Sequence, residues 1–97
     1  MKYIQADQDL ALLLDGNAVA GLLDEVFGVD MTTSPCVCSQ CGREGALATL
    51  MAFTQAPGVV LRCPACESVV LRIVQTPDAF YLDARGTLYL RLGRPAA

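Results

Sequence analysis

The chain has 97 residues, a formal net charge of −3, 18% charged residues and 54% hydrophobic residues. That length supports one small domain and leaves little room for a second independent core. The sequence contains no His, which removes the usual general base and with it the Cys–His and Ser–His arrangements of nucleophilic catalysis.

Charge is uneven along the chain. Residues 1–30 carry six acids (Asp7, Asp9, Asp15, Asp24, Glu25 and Asp30) against Lys2 alone, a balance of −5; the remainder has six Arg against four acids, a balance of +2. The acidic first third argues against general nucleic-acid binding, while the rest leaves it open. Over residues 10–29 the apolar positions are interrupted by Asp15, Gly16, Asn17, Asp24 and Glu25. No run approaches the roughly 20 apolar residues a membrane span needs. Lys2 alone, followed by Asp7 and Asp9, does not make the basic start of a secretory signal, so the expected location is the cytoplasm.

Residues 1–9 carry no pattern of their own and residues 1–13 are read as a lead-in, with Leu10 to Leu14 either extending a helix or docking as an apolar strand. From there Ala18, Val19, Leu22, Leu23, Val26 and Phe27 recur at three- and four-residue intervals, which predicts one helix over about residues 16–27. Asp15 or Asn17 is placed to cap its exposed N–H groups, and Gly28 to end it in the left-handed conformation.

After Thr33 the pattern becomes short β-type runs: Ala46–Thr54, Val59–Arg62, Val69–Gln75, Phe80–Asp83 and Thr87–Leu92. Turns are expected at Pro57-Gly58, Pro77-Asp78 and Ala84-Arg85-Gly86. In the last run Leu88, Leu90 and Leu92 alternate with Thr87, Tyr89 and Arg91, which predicts one buried and one wet face. Val69 to Val74 does not alternate, which suggests a central strand whose second face is covered by the helix or by another chain. The expected fold class is small α+β, with one N-terminal helix and an antiparallel sheet over residues 14–97.

The strongest signal is a pair of Cys-x-x-Cys knuckles, Cys38-Ser39-Gln40-Cys41-Gly42 and Cys63-Pro64-Ala65-Cys66, separated by 21 residues that read as one hairpin. Two residues between thiols let a tight turn aim both sulfurs at one ion, and in a reducing compartment such pairs bind metal rather than form disulfides. Cys38, Cys41, Cys63 and Cys66 are therefore the expected metal ligands, and zinc the expected ion. Four thiolates close a tetrahedral site with no open position for substrate or water, which makes the site structural. Iron is the competitor, because Cys-x-x-Cys-Gly and Cys-Pro-x-Cys knuckles also resemble rubredoxin. Glu67 stands where rubredoxin usually has Gly and the segment between the knuckles is shorter, so zinc is preferred. Cys36 in place of Cys38 would leave four residues before Cys41, a poorer turn, so Cys36 is read as a spare thiol or a neighbour of the site.

Leu14-Asp15-Gly16-Asn17-Ala18, Leu22-Leu23, Glu25-Val26-Phe27-Gly28 and Met31-Thr32, followed by the two knuckles, resemble a bacterial family of small zinc-ribbon proteins without an assigned activity. The resemblance spans about residues 14–92 and implies an accessory subunit beside redox enzymes; it implies no catalytic residue.

Three functions follow as expectations. The first is a non-enzymatic zinc ribbon that contacts a protein partner or a second copy of itself; the mean hydropathy of +0.43, high for so short a chain, favours it unless Ala and Cys merely inflate the value. The second is an iron-containing electron carrier. The third is nucleic-acid binding through Arg62, Arg72 and Arg91 on neighbouring strands with Tyr81 and Tyr89, against which stands the scarcity of Lys. Enzyme activity ranks last, since no phosphate loop, dinucleotide fingerprint or acid–base pair is visible.

Overall fold

The structure, a computed structural model, describes residues 14–55 and 58–94. Leu10 to Leu13 and the rest of the lead-in lie outside the described residues. The described chain forms one short α-helix and two antiparallel sheets, a small α+β fold.

The helical segment opens as a 3₁₀ turn, Gly16–Val19, and continues as helix α1, Ala20–Phe27. The Asp15 carboxylate caps it by accepting from the Asn17 N–H at 3.0 Å. Gly28 ends it at φ 78°, its N–H donating to the Asp24 carbonyl at 2.7 Å. Gly16 is pressed against the Leu47 carbonyl, where any side chain would collide. Leu23 is fully buried, and Leu22, Val26 and Phe27 pack against the same core, whereas Ala18 faces solvent.

The strands are β1 Pro35–Cys38, β2 Glu44–Ala46, β3 Met51–Phe53, β4 Val59–Arg62, β5 Val69–Thr76, β6 Ala79–Asp83 and β7 Thr87–Leu90. They form a three-stranded sheet in the order β2-β1-β7 and a four-stranded sheet in the order β3-β4-β5-β6. The expected single strand over Ala46–Thr54 is corrected to two strands in different sheets. The chain changes sheets through a 3₁₀ turn, Leu47–Thr49, where Leu47 and Leu50 are driven into the core and the Thr49 hydroxyl donates back to the Ala46 carbonyl at 2.6 Å. The segment between the knuckles is therefore not one hairpin: β2 pairs with β1, and β3 with β4.

Two β-bulges account for the remaining departures. Between β4 and β5 the partners run Leu61↔Leu71 and then Arg62↔Val69, so Val70 falls outside the pairing and is buried beside Leu71. The lost alternation of Val69 to Val74 comes from that extra residue and not from a second covered face, since Arg72 is exposed. Between β1 and β7 the partners run Val37↔Tyr89 and Cys38↔Thr87, leaving Leu88 extruded and 65% exposed. The expected apolar face of Leu88, Leu90 and Leu92 is thereby broken: only Leu90 packs on the core, and Leu92 is 49% exposed.

One core joins both sheets and the helix. It combines Leu23 of α1, Cys36 and Cys38 of β1, Leu61 of β4, and Val70, Leu71 and Ile73 of β5, with Met31, Leu47 and Leu50 from the connections. Among the described residues no helix is long and apolar enough to cross a membrane.

Candidate metal centre

Each knuckle is the tip of a hairpin, and the two hairpins belong to different sheets. Cys38 ends β1 and the first knuckle leads into β2; Cys63 follows β4 and the second leads into β5. The same backbone design builds both turns. In the first, the Cys38 N–H donates to the Arg43 carbonyl at 2.9 Å and the Gly42 N–H to the Cys38 carbonyl at 2.9 Å. In the second, the Cys63 N–H donates to the Ser68 carbonyl at 2.9 Å and the Glu67 N–H to the Cys63 carbonyl at 2.8 Å.

The sulfurs are held by N–H groups two residues further on. Gln40 donates to Cys38 Sγ at 3.4 Å and Ala65 to Cys63 Sγ at 3.4 Å. The backbone of Arg43 does the same for Cys41, and that of Ser68 for Cys66. Donors aimed at all four sulfurs favour thiolates, the form a metal requires.

This arrangement brings the sulfurs of Cys38, Cys41, Cys63 and Cys66 within 4.8 Å of one another. Cys38 Sγ lies 3.6 Å from Cys66 Sγ, and Cys41 Sγ lies 3.7 Å from Cys63 Sγ. A tetrahedral ion with metal–sulfur bonds near 2.3 Å sets its ligands about 3.8 Å apart, so these spacings suit it. The four cysteines can hold a metal ion. Cys38 and Cys63 are buried on the core side, and Cys41 and Cys66 lie on the solvent side.

The thiols also show why such a cluster calls for a cation. At Cys66, hydrogen bonds from the Ser68 hydroxyl and backbone outweigh desolvation and bring the thiol down to about 6. At Cys41 the Arg43 backbone N–H lowers the thiol, but desolvation and the sulfurs of Cys63, Cys66 and Cys38 push it up to about 11. Four thiolates this close repel one another, and only a positive ion among them lets all four lose their protons together.

Cys36 is not part of this group. It lies on β1, 2% exposed in the core, and burial pushes its thiol up. The arginines read as one cationic surface are also separated. Arg62 and Arg72 stand on neighbouring β4 and β5, but Arg91 follows β7 of the other sheet. Arg62 is engaged, donating to the Glu67 carbonyl at 2.8 Å and lying 5.6 Å from the Phe53 ring.

The sequence placed Glu67 where a rubredoxin knuckle has Gly but gave no sign that Glu67 takes the same left-handed conformation as Gly42. Gly42 has φ 78° and Glu67 has φ 66°, the one non-glycine residue at positive φ among those described. Its N–H must reach the Cys63 carbonyl, and that geometry forces the left-handed conformation, which costs a side-chain-bearing residue about 1–2 kcal/mol. Glu67→Gly is expected to stabilise the protein by about 0.5–1 kcal/mol after the added freedom of the unfolded chain is subtracted. Thermal melts of the metal-loaded protein check this, and an unchanged or lowered midpoint would contradict it.

No curated protein and no solved structure matches this chain. Residues 6–95 match a family of unknown function, DUF6510, and the chain belongs to that family.

Proposed function

We propose that this chain is a non-enzymatic zinc ribbon of the cytoplasm that works through protein contact, as an accessory subunit of the kind that serves redox enzymes. The observation that carries the reading is the sulfur cluster at the tips of two hairpins from separate sheets. An ion there would tie the sheets together, and with all four positions taken by sulfur it would have no room for substrate or activated water. Zinc suits this role because it prefers tetrahedral sulfur and has no redox chemistry of its own. A reducing compartment keeps the thiols available to it.

Exposed side chains support the contact reading. Tyr81 is 64% exposed, and Leu82, Leu88 and Tyr89 are exposed as well, so apolar groups on β6 and β7 are available to a partner. On the helix, Leu23 is fully buried and Leu22, Val26 and Phe27 pack partly buried against the chain's own core.

Elemental analysis and a visible spectrum of protein purified without added metal test the reading. Stoichiometric zinc in a colourless protein is the expected result. Iron with thiolate charge-transfer bands would replace it with the electron-carrier function, and the absence of stoichiometric metal would overturn it.

A further inference from the structure

The outer strands of the two sheets differ in how their edges are protected. The outer edge of β3 is occupied, because Ala52 N–H donates to the Leu14 carbonyl at 2.9 Å and Asp15 bridges to Met51. Strand β2 is only three residues long and carries exposed Glu44. Strand β7 is interrupted by the bulge at Leu88. A short strand, a charge and a bulge are the usual means of stopping an edge from pairing with another chain.

Strand β6 is less protected: it is longer and unbroken, and its one charge, Asp83, is its last residue and is paired with Arg85. It is five residues long, ends the four-stranded sheet among the described residues, and pairs in unbroken register with β5 from Arg72↔Asp83 to Thr76↔Ala79. Every second residue of such a strand directs its N–H and C=O away from its one neighbour. Ala79-Phe80-Tyr81-Leu82 is uncharged, and Phe80, Tyr81 and Leu82 are 37%, 64% and 42% exposed. The edge is also held ready: the Thr76 hydroxyl binds Asp78 and Ala79 at one end, and Arg85 binds the Asp83 carboxylate at the other.

We propose that β6 is a self-pairing edge, at which two copies of this chain join antiparallel about a two-fold axis at Tyr81 and make their four-stranded sheets continuous. This deepens the protein-contact reading above and rests on it. The self-complementary order of apolar residues about Tyr81 suits a second copy as the occupant. Pairing about Tyr81 sets Phe80 opposite Leu82, and places the two flanking acids, Asp78 and Asp83, opposite Ala84 and Ala79 of the other copy. No acid then faces an acid. Shifting the axis to Leu82 would set Asp83 against Tyr81, and antiparallel pairing permits only such two-residue shifts, because a one-residue shift would place facing side chains on opposite faces. A five-residue contact is at the small end of specific interfaces, so the dimer forms and dissociates over the micromolar range.

Sedimentation of the full chain over a concentration series tests the proposal. The wild type is expected to pass from monomer to dimer. Because the axis passes through Tyr81, each copy of that residue faces its counterpart, and Tyr81→Lys or Tyr81→Glu alone should weaken self-association about tenfold or more by setting like charges opposite. An equimolar mixture of the two variants should recover a dimer, now between unlike chains. Tyr81 is mostly exposed, and unchanged circular dichroism and metal content will show that both variants are folded. A wild type that stays monomeric, variants that dimerise as well as wild type, or a mixture that fails to associate would each overturn the proposal. A monomer that still holds zinc would overturn only this proposal and leave the zinc-ribbon reading intact.

Discussion

Serine at Cys38, Cys41, Cys63 or Cys66 is expected to remove the metal and unfold the ribbon, whichever of the four is changed. Each sulfur supplies one corner of a cluster whose members lie within 4.8 Å of one another, and the corners come in pairs from hairpins of different sheets. Structural zinc binding in small domains is worth about 10–16 kcal/mol of apparent free energy at neutral pH. Domains of this size have a net stability of only about 5–15 kcal/mol. Losing one ligand therefore threatens the whole fold, and chelation of the metal should have the same effect. Cys36→Ser provides the contrast. Its sulfur stands apart from the cluster in the core, so the variant should keep its metal and lose about 1–3 kcal/mol for burying a hydroxyl in apolar surroundings. Metal content and circular dichroism of all five variants decide the matter. A Cys36 variant without metal, or a knuckle variant that keeps it, would show the ligand set to be wrong.

Leu23→Ala is expected to cost about 3–4 kcal/mol, equivalent to a fall of roughly 10–20 °C in Tm for a domain of this size. Leu23 is fully buried in a core shared with Leu71 and Ile73 of the four-stranded sheet and with Cys36 and Cys38 of β1. Removing its branched end leaves a void among groups fixed from three directions, which cannot collapse far to fill it. Leu22 is only partly buried, and Leu22→Ala should cost less than half as much. Leu88, extruded by the bulge in β7, should tolerate Ala within about 0.5 kcal/mol. Thermal melts of the three metal-loaded variants give the ranking, and equal losses at Leu23 and Leu88 would contradict the described core.

The helix and the grouping of cysteines were legible because both are local. A three- and four-residue repeat marks the buried face of α1 wherever that face packs, and Asp15 and Gly28 act within a residue or two of themselves. Two residues between cysteines likewise fix a knuckle before any tertiary contact forms. The two sheets were not legible, because strand pairing is a relation between distant segments. Pro35–Cys38 is too short and too rich in cysteine to announce a strand, and it becomes β1 only because β2 and β7 supply partners on both sides. Residues 46–54 read as one run because the corner at Leu47 and Leu50 is as apolar as the strands it separates.

Composition and spacing by themselves determined a small α+β chain with two cysteine knuckles able to hold a metal ion. Tertiary structure decided which apolar residues are spent inside. Of the helix stripe, Val19 and Leu23 are buried and Leu22, Val26 and Phe27 partly so, while bulges at Val70 and Leu88 reset the alternation of β5 and β7. The physical reason is that a bulge adds one residue to one side of a ladder, so every residue beyond it changes face relative to a regular count. No periodicity in a single strand records where its partner has one residue fewer, and so the exposed edge at β6 emerged only once the strands had been paired.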